Sequence, residues 1–265
     1  MPEPGMPSMG VCARRFVEVN DRLSFSARAS SRHRPGWLSS GMTKVEEQTF
    51  PNSPFVQSIS RTTFSTAGMT LMRPDNCWDF AIIKRGDEVL ILRTGLTTRP
   101  DSVEHAAGDE ILAISFRAST FMPLLPGDAM LNRGLFLEKF GRADMWIGPD
   151  VREIPNFDNA DVFVERLVRD GIIANNDLVQ SVVDGHSKAM SERTMQRHFL
   201  RTTGLTYKRF TLIERAQKAM SLLQMGQPAL DVAFALGFTD QAHLINSVKQ
   251  IMGQTPGEIA RQSTP

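Results

Sequence analysis

Residues 237–261 read GFTDQAHLINSVKQIMGQTPGEIAR, and their spacing predicts a sharp turn followed by an amphipathic helix. Gly237 suits the left-handed backbone conformation that joins two helices at a steep angle. Leu244, Val248 and Met252 recur every four residues, so they share the buried face of the predicted helix. The apolar run just before the turn predicts a second, shorter helix. Together these features predict a helix-turn-helix unit.

The opposite side of this helix is polar. It carries Gln241, Ile245, Asn246 and Lys249, which fall away from the buried stripe. Gly253 then ends the helix, and the proline three residues later prevents its continuation. We therefore expect a helix of about three turns that presents one free face.

A similar pattern lies upstream, where Ser191 can cap a helix and Met195 and Phe199 form a buried pair one turn apart. The free face of this helix carries Arg193, Gln196 and Arg197. Between the two units, residues 206–225 are predicted to form one continuous helix, since apolar side chains recur on a single stripe. The sequence thus predicts two helix-turn-helix units joined by a helix.

The stretch 237–261 resembles the signature of the AraC/XylS family of bacterial transcription regulators. The matching residues are Ala233, Gly237, Phe238, Asp240, Leu244, Lys249, Gly253, Thr255 and Pro256. The stretch SERTMQRHFLRTTGLT at 191–206 is similar to the family's first recognition helix and the turn after it. The resemblance implies a sequence-specific DNA-binding transcription regulator with double-stranded operator DNA as its partner.

The resemblance also assigns roles to individual residues. The base-reading positions are Arg193, Gln196 and Arg197 in the first helix, and Gln241, Ile245 and Asn246 in the second. Arginine can form two hydrogen bonds to guanine, and glutamine or asparagine can form two to adenine. Candidate phosphate contacts are Arg201, Lys208, Arg209 and Lys249, whereas Arg215 and Lys218 are better interpreted as surface charges.

The connecting helix sets the spacing of the two units. About 20 residues at 1.5 Å each give a rod of roughly 30 Å. Successive major-groove faces of B-DNA lie roughly 34 Å apart. We therefore expect the two helices to read adjacent major grooves on one side of the duplex.

Two features depart from the family pattern. Gly185 weakens the segment before Ser191, and Lys188 stands where a buried apolar residue is expected, so the helix supporting the first unit should be short. Asn246 occupies a position at which some members carry a base-contacting arginine. These departures favour one alternative, a degenerate AraC-like protein that acts through protein-protein contacts.

The front part of the chain predicts β-structure. The runs 79–84 and 88–93 are separated by Arg85-Gly86-Asp87, a suitable hairpin turn. Residues 110–117 alternate with apolar side chains on both faces, which is typical of a strand covered on both sides. The expected fold class is α+β, with a β-rich barrel- or sandwich-like N-terminal domain followed by an all-α C-terminal domain.

The expected organisation has four parts. Residues 1–44 form a poorly ordered tail, because their Arg- and Ser-rich composition buries little apolar surface. Residues 45–157 form the β-rich regulatory domain, which in the family binds an effector, mediates dimerisation, or both. A connecting helix, capped by Asp158, and a linker occupy 158–175. Residues 176–265 form the AraC-type DNA-binding domain.

The resemblance implies further partners, and individual residues suggest or exclude further sites. Candidate partners are RNA polymerase, a small-molecule effector in the N-terminal domain and a second copy of the chain. Trp78 and Trp146 could line an effector pocket, although core packing is the simpler interpretation. Cys77 is best interpreted as a small buried thiol. The five histidines lack metal-binding spacing, so no metal and no cofactor are expected.

Composition excludes further classes of protein. The formal net charge of +1 excludes a uniformly basic chain, although residues 171–265 alone carry an excess of three positive charges. Apolar runs long enough to cross a membrane are missing from the sequence, and two cysteines suit a reducing, cytoplasmic compartment. Motifs of known catalytic sites are also missing, so we do not expect an enzyme.

Overall fold

The computed structural model describes residues 16–18, 44–186 and 191–258. Most of the predicted tail, and Lys188, lie outside the described residues. Seven strands of the front half form one antiparallel sheet in the order β1-β10-β6-β5-β8-β3-β2. Its strands are β1 (Phe16–Glu18), β2 (Lys44–Thr49), β3 (Val56–Thr63), β5 (Trp78–Arg85), β6 (Glu88–Thr94), β8 (Glu110–Phe116) and β10 (Gly134–Leu137).

Three smaller sheets complete the β-structure. Strands β11 (Lys139–Phe140), β12 (Asp144–Ile147) and β13 (Asp150–Glu153) form a three-stranded sheet. Strands β4 (Gly68–Met72) and β7 (Asp101–His105) form a two-stranded sheet, as do β9 (Thr120–Phe121) and β14 (Ala174–Asn175). The last pair matters for domain organisation, because β14 follows the first long helix and yet returns to pair with the front half.

The predicted hairpin is confirmed. Strands β5 and β6 pair with Ile82 opposite Ile91, and Gly86 in the turn has a φ of 57°. The inward-facing side chains of these strands are almost fully buried. Trp78 stacks on Phe116 at 4.1 Å between ring centroids, which confirms Trp78 as a core residue.

The segment predicted to be a loose tail contains one strand. Phe16–Glu18 pairs antiparallel with β10, with Phe16 opposite Leu137 and Glu18 opposite Leu135. Low order for the tail as a whole stays a prediction. Strand β10 would otherwise offer unpaired backbone groups at the sheet edge, and these groups are satisfied by any extended segment whatever its composition.

Seven helices occur in the described part of the chain: α1 (Gly127–Met130), α2 (Ala160–Arg169), α3 (Asp177–Val183), α4 (Glu192–Thr203), α5 (Tyr207–Gln224), α6 (Ala229–Ala235) and α7 (Gln241–Met252). Asn176 caps α3 as predicted, because its side chain accepts the backbone N–H groups of Leu178 and Val179. The predicted cap of α2 is one residue early, since Asn159 rather than Asp158 occupies the N-cap position.

The long helix α5 organises the helical half. Its buried side chains are Phe210, Ile213, Ala216, Ala219 and Leu223. They pack with the buried faces of the helices on either side, so one apolar core runs through both helix-turn-helix units. Small alanine side chains on the stripe let neighbouring helices approach closely. Within the described residues, every helix is too short or too polar to cross a membrane.

We predict that Phe199→Ala lowers the free energy of unfolding by about 3–5 kcal/mol. Phe199 is fully buried, and its ring contacts the rings of Tyr207 and Phe210 at the start of α5. The matched control is Leu200→Ala, since Leu200 is 41% exposed on the same helix. Denaturant unfolding measures both changes, and equal losses would contradict the assignment of the core.

Candidate nucleic-acid interface

The first helix-turn-helix unit is defined by its caps. Ser191 begins α4, and its hydroxyl accepts the backbone N–H of Thr194 at 3.2 Å. Gly204 ends the helix with a φ of 76°, a conformation that glycine adopts without strain. These two residues fix the start and the end of α4.

The supporting helix α3 is short, as predicted. It ends at Val183, and Gly185 follows with a φ of 77°. Its cap residue compensates for the missing length, because the Asn176 amide contacts α4 directly. Asn176 Nδ2 donates to Thr202 Oγ1 at 2.8 Å and lies 3.1 Å from His198 Nδ1. One asparagine therefore caps α3 and joins it to α4.

The predicted base-reading residues of α4 lie together on one exposed face. Arg193, Gln196 and Arg197 are exposed, and Arg201 extends this face toward the end of the helix. Gln196 Nε2 donates to Glu192 Oε1 at 3.3 Å, which positions the amide within the row. We name the exposed side chains of Arg193, Gln196, Arg197 and Arg201 the first reading face.

The second unit begins with α6 and a left-handed Gly237, whose φ is 68°. Asp240 caps α7, because its Oδ1 accepts the backbone N–H of His243 at 2.7 Å. Leu244, Val248 and Met252 are fully buried, as their spacing predicts. The predicted turn and helix are therefore both present.

Arg215 stabilises the turn of the second unit through two contacts. Its guanidinium donates to the carbonyl of Gly237 at 2.6 Å and lies 4.2 Å above the ring of Phe238. The interpretation of Arg215 as a surface charge is wrong, because the side chain joins α5 to the turn before α7. Twenty-two residues separate Arg215 from Gly237, so local sequence spacing gives no sign of this contact.

The free face of α7 is only partly as predicted. Gln241, Asn246 and Lys249 are exposed, whereas Ile245 is half-buried. A branched apolar side chain in this position can contact the methyl group of thymine while its base remains packed. We name the side chains of Gln241, Ile245, Asn246 and Lys249 the second reading face.

The helix α5 separates the two units by 18 residues, or roughly 27 Å. Lys208 is exposed near its start, but Arg209 is half-buried. Arg209 Nη2 donates to the carbonyl of Thr98 in the front half at 2.7 Å. One nitrogen of the Arg209 guanidinium therefore bonds within the protein, and its contact with phosphate stays a prediction.

Residues 187–262 match the family model described as a helix-turn-helix domain. The match begins after α3 and extends beyond α7, so it covers both recognition helices and the helix between them. The match supports a helix-turn-helix domain in residues 187–262. A comparison with curated protein sequences finds no match.

Two solved structures of ToxT from Vibrio cholerae match the chain weakly. One, at 1.65 Å resolution, is 10% identical, spans 85% of this chain and 99% of ToxT, and has a TM-score of 0.38. The other, from strain O395 and bound to (E)-4-(8-methylnaphthalen-1-yl)but-3-enoic acid, is 9% identical over 84% of this chain and 99% of ToxT, with a TM-score of 0.40. Similarity at this level indicates no function for this chain.

The front half contacts the helix-turn-helix domain at both units. Arg73 donates to Met252 O at 3.3 Å and to Gln254 Oε1 at 2.6 Å, at the end of α7. At the first unit, α1 lies so close to α4 that a Cβ on Gly127 would stand 2.2 Å from the carbonyl oxygen of Thr202. Only glycine permits this approach of two backbones.

An open groove of about 460 Å³ separates α1 from the first reading face. Pro126 and Asp128 of the front half line one side, and the reading arginines line the other. The carboxylate of Asp128 therefore lies across the groove from cationic side chains. This arrangement places the front half beside the first reading face of the helix-turn-helix domain.

Two further residues considered in the sequence analysis, Cys77 and His105, lie in the core. Cys77 is buried, and burial raises the pKa of its thiol well above its usual range. His105 is buried and stacks on Phe64 at 3.9 Å between ring centroids. Groups of three or more His, Cys, Asp or Glu side chains arranged to hold a metal ion do not occur in the described ranges.

We predict that Asp240→Ala lowers the free energy of unfolding by about 1 kcal/mol, because α7 loses the acceptor for its first-turn N–H group. Asp240→Asn is the matched control, since its amide oxygen can accept the same bond. Chemical denaturation measures both variants. The capping role is contradicted if the alanine and asparagine variants are equally stable.

Proposed function

We propose that the chain is a sequence-specific DNA-binding transcription regulator of the AraC type, in which two recognition helices read adjacent major grooves. One observation carries this proposal. Two polar, exposed faces lie on the separate capped helices α4 and α7, which precede and follow α5 and share its apolar core. Such a frame lets both faces meet one duplex without rearrangement of the helices.

The side chains of the two reading faces can form hydrogen bonds with the edges of DNA bases. The first reading face offers three guanidinium groups and an amide. Those of Arg193, Gln196 and Arg197 match the hydrogen-bonding edges of guanine and adenine. The second offers two amides and Ile245. Lysines 208 and 249, together with Arg201, are exposed and supply phosphate contacts. The modest positive charge of this half favours a moderate salt dependence.

The front half is proposed as the regulatory part. Its core is filled by large side chains, and it contacts both units of the helix-turn-helix domain. A signal received there, from an effector or a second copy of the chain, can therefore reach both reading faces. No catalytic activity is proposed.

Selection of bound sites from randomised duplexes tests the proposal directly. We expect enrichment of a site with two sequence elements about one helical turn apart. Footprinting on the selected site should show protection in two neighbouring major grooves on one face. Protection confined to one groove would contradict the two-groove geometry, and recovery of no enriched sequence would contradict specific DNA binding.

We predict that Arg197→Ala weakens binding to the selected site by about 1–3 kcal/mol and relaxes the preference at one base pair. The loss follows from the two hydrogen bonds that the guanidinium can form with guanine. Arg166→Ala is the matched control, since Arg166 is an exposed arginine of α2, outside both reading faces. Equal affinities of the Arg197 and Arg166 variants, measured by titration of labelled duplex, would contradict the assignment.

Lys208 and Lys249 should affect DNA binding differently from Arg197. We predict that Lys208→Gln and Lys249→Gln each weaken binding to all duplexes to a similar degree and lower the salt slope by about 1. The reason is that phosphate contacts release counterions but read no sequence. Binding isotherms at several salt concentrations measure the slope. A change in base preference without a change in slope would contradict the phosphate role.

A second candidate function is supported by one observation. Three apolar side chains at α6 and the turn before it are exposed: Met225 at 76%, Leu230 at 48% and Phe234 at 68%. Such a patch is suited to a protein partner, for which RNA polymerase is a candidate. A degenerate regulator acting through protein contacts alone would use this patch and would show no salt-dependent DNA binding.

A further inference from the structure

A polar cleft of about 210 Å³ lies between the front half and the helical half. Asp75 and Asn76, in the loop before β5, form one wall together with residues 117–119 after β8. Helices α3 and α5 form the facing wall. The cleft is separate from both reading faces and from the groove beside α1.

Hydrogen bonds between the walls hold the cleft together. They connect the front half with α3 and with α5, so neither helix can move away without breaking them. The bonds are Asn76 Nδ2 to Phe210 O at 3.2 Å, Gln217 Nε2 to Pro74 O at 3.0 Å, and Ser119 Oγ to Gln180 Oε1 at 2.5 Å.

The lining is rich in acceptors. Asp75 and Glu214 bring carboxylates from opposite walls, and Asp184 adds a third from just after α3. Asn76 is 93% buried, and its Oδ1 has no hydrogen-bond partner although its Nδ2 is bonded to α5. A buried acceptor without a donor is unfavourable, so this atom is available to accept a hydrogen bond from a ligand in the cleft.

Cations within the protein do not neutralise these carboxylates. Arg117 is the cationic residue among the described side chains of the lining, and its guanidinium donates to the backbone carbonyls of Phe50, Pro51 and Ser53. Burial, and then the neighbouring Asp79 carboxylate, raise the pKa of Asp75. Burial likewise raises the pKa of Glu214, which Lys218 lowers only in part. These raised pKa values favour the neutral carboxyls in the free cleft, and a bound cation would favour their charged forms by supplying the counter-charge that the lining lacks.

The arrangement of the acceptors favours an organic cation over a metal ion. A metal ion needs several ligands around one point, and the described residues contain no group of three or more acidic, His or Cys side chains so arranged. Asp75 and Glu214 stand on opposite walls. A ligand with N–H donors at separated positions can reach both walls at once.

We propose that this cleft binds a small organic cation with an amino group at each end, a short diamine being the simplest member of the class. One ammonium group would be held by Asp75 and the free Asn76 Oδ1, and the other by Glu214. The cavity volume lies below the 300–1,000 Å³ typical of drug-sized ligands, which limits the ligand to a short chain.

A bound cation would strengthen the contact between the two halves, because its partners come from both walls. If the chain regulates transcription as proposed above, the cation and operator DNA then influence each other's affinity by the same factor. Binding of the cation itself does not depend on that function.

Calorimetric titration of the full chain without DNA tests the site. The probes are 1,4-diaminobutane, the uncharged 1,4-butanediol and the dianion succinate, which share a four-carbon length. We expect saturable binding of the diamine at physiological salt, and no binding of the diol or of succinate. Absence of diamine binding, or equal binding of the diol, would overturn the proposal.

Two substitutions localise the binding. Asp75→Asn keeps the Oδ1 that accepts the Cys77 N–H group, and Glu214→Gln keeps the shape of its side chain. Each should weaken diamine binding about tenfold or more, because the carboxylate charge that pairs with an ammonium group is lost. Glu165→Gln, at an exposed carboxylate of α2, is the control and should bind as the parent chain does. Equal affinity of all three variants would overturn the proposal, and thermal melts verify that each variant is folded.

Because these titrations contain no DNA, they separate this proposal from the proposed function. Failure to bind any duplex with normal diamine binding would refute only the regulator. Specific duplex binding without diamine binding would refute only the cleft.

Discussion

Burial of the apolar stripe of α5 is the constraint on which the helical half depends. Phe210 contacts Phe199 of the first unit, and Ile213, Ala216, Ala219 and Leu223 continue the same buried stripe along the helix. Because all five side chains of the stripe are nearly inaccessible to water, α5 cannot rotate without exposing them. The orientation of the two reading faces relative to each other is therefore a consequence of hydrophobic packing rather than of any contact between the faces.

Polar contacts at helix ends and turns fix the directions of the helices that the apolar core holds together. Asn176, Arg215 and Asp240 each satisfy backbone or side-chain groups at a helix end or turn. These are positions where intrahelical bonds are missing, so one well-placed side chain fixes the direction in which the next helix leaves. The same logic explains why Arg215 serves the fold, since a guanidinium over Phe238 and on a turn carbonyl is no longer available for phosphate.

The sequence predicts the parts of this structure that depend on near neighbours. Gly237, Asp240 and the buried stripe of α7 act within a few residues of each other, and their spacing indicates the turn, the cap and the helix. Contacts such as Arg209 with Thr98, 111 residues apart, have no local period and could not be predicted. The pairing of Phe16–Glu18 was missed for the same reason, because backbone hydrogen bonds carry no side-chain signature. The site residues of α4 were predictable because three exposed positions share one helical face.

The pairing of β14 with β9 has a practical consequence for dissecting the protein. Ala174 and Asn175 follow α2 in the chain, yet they lie opposite Phe121 and Thr120 of the front half. A fragment of the front half that stops before residue 174 would lack β14. The backbone of β9 would then lose its hydrogen-bonded neighbour. Conversely, a fragment of the helical half that starts at Asn176 keeps this residue as the cap of α3. Division of the chain between residues 175 and 176 therefore keeps both the β9–β14 pair and the cap of α3, and it loses the bonds of Asn176 N and Gln180 to Ser119.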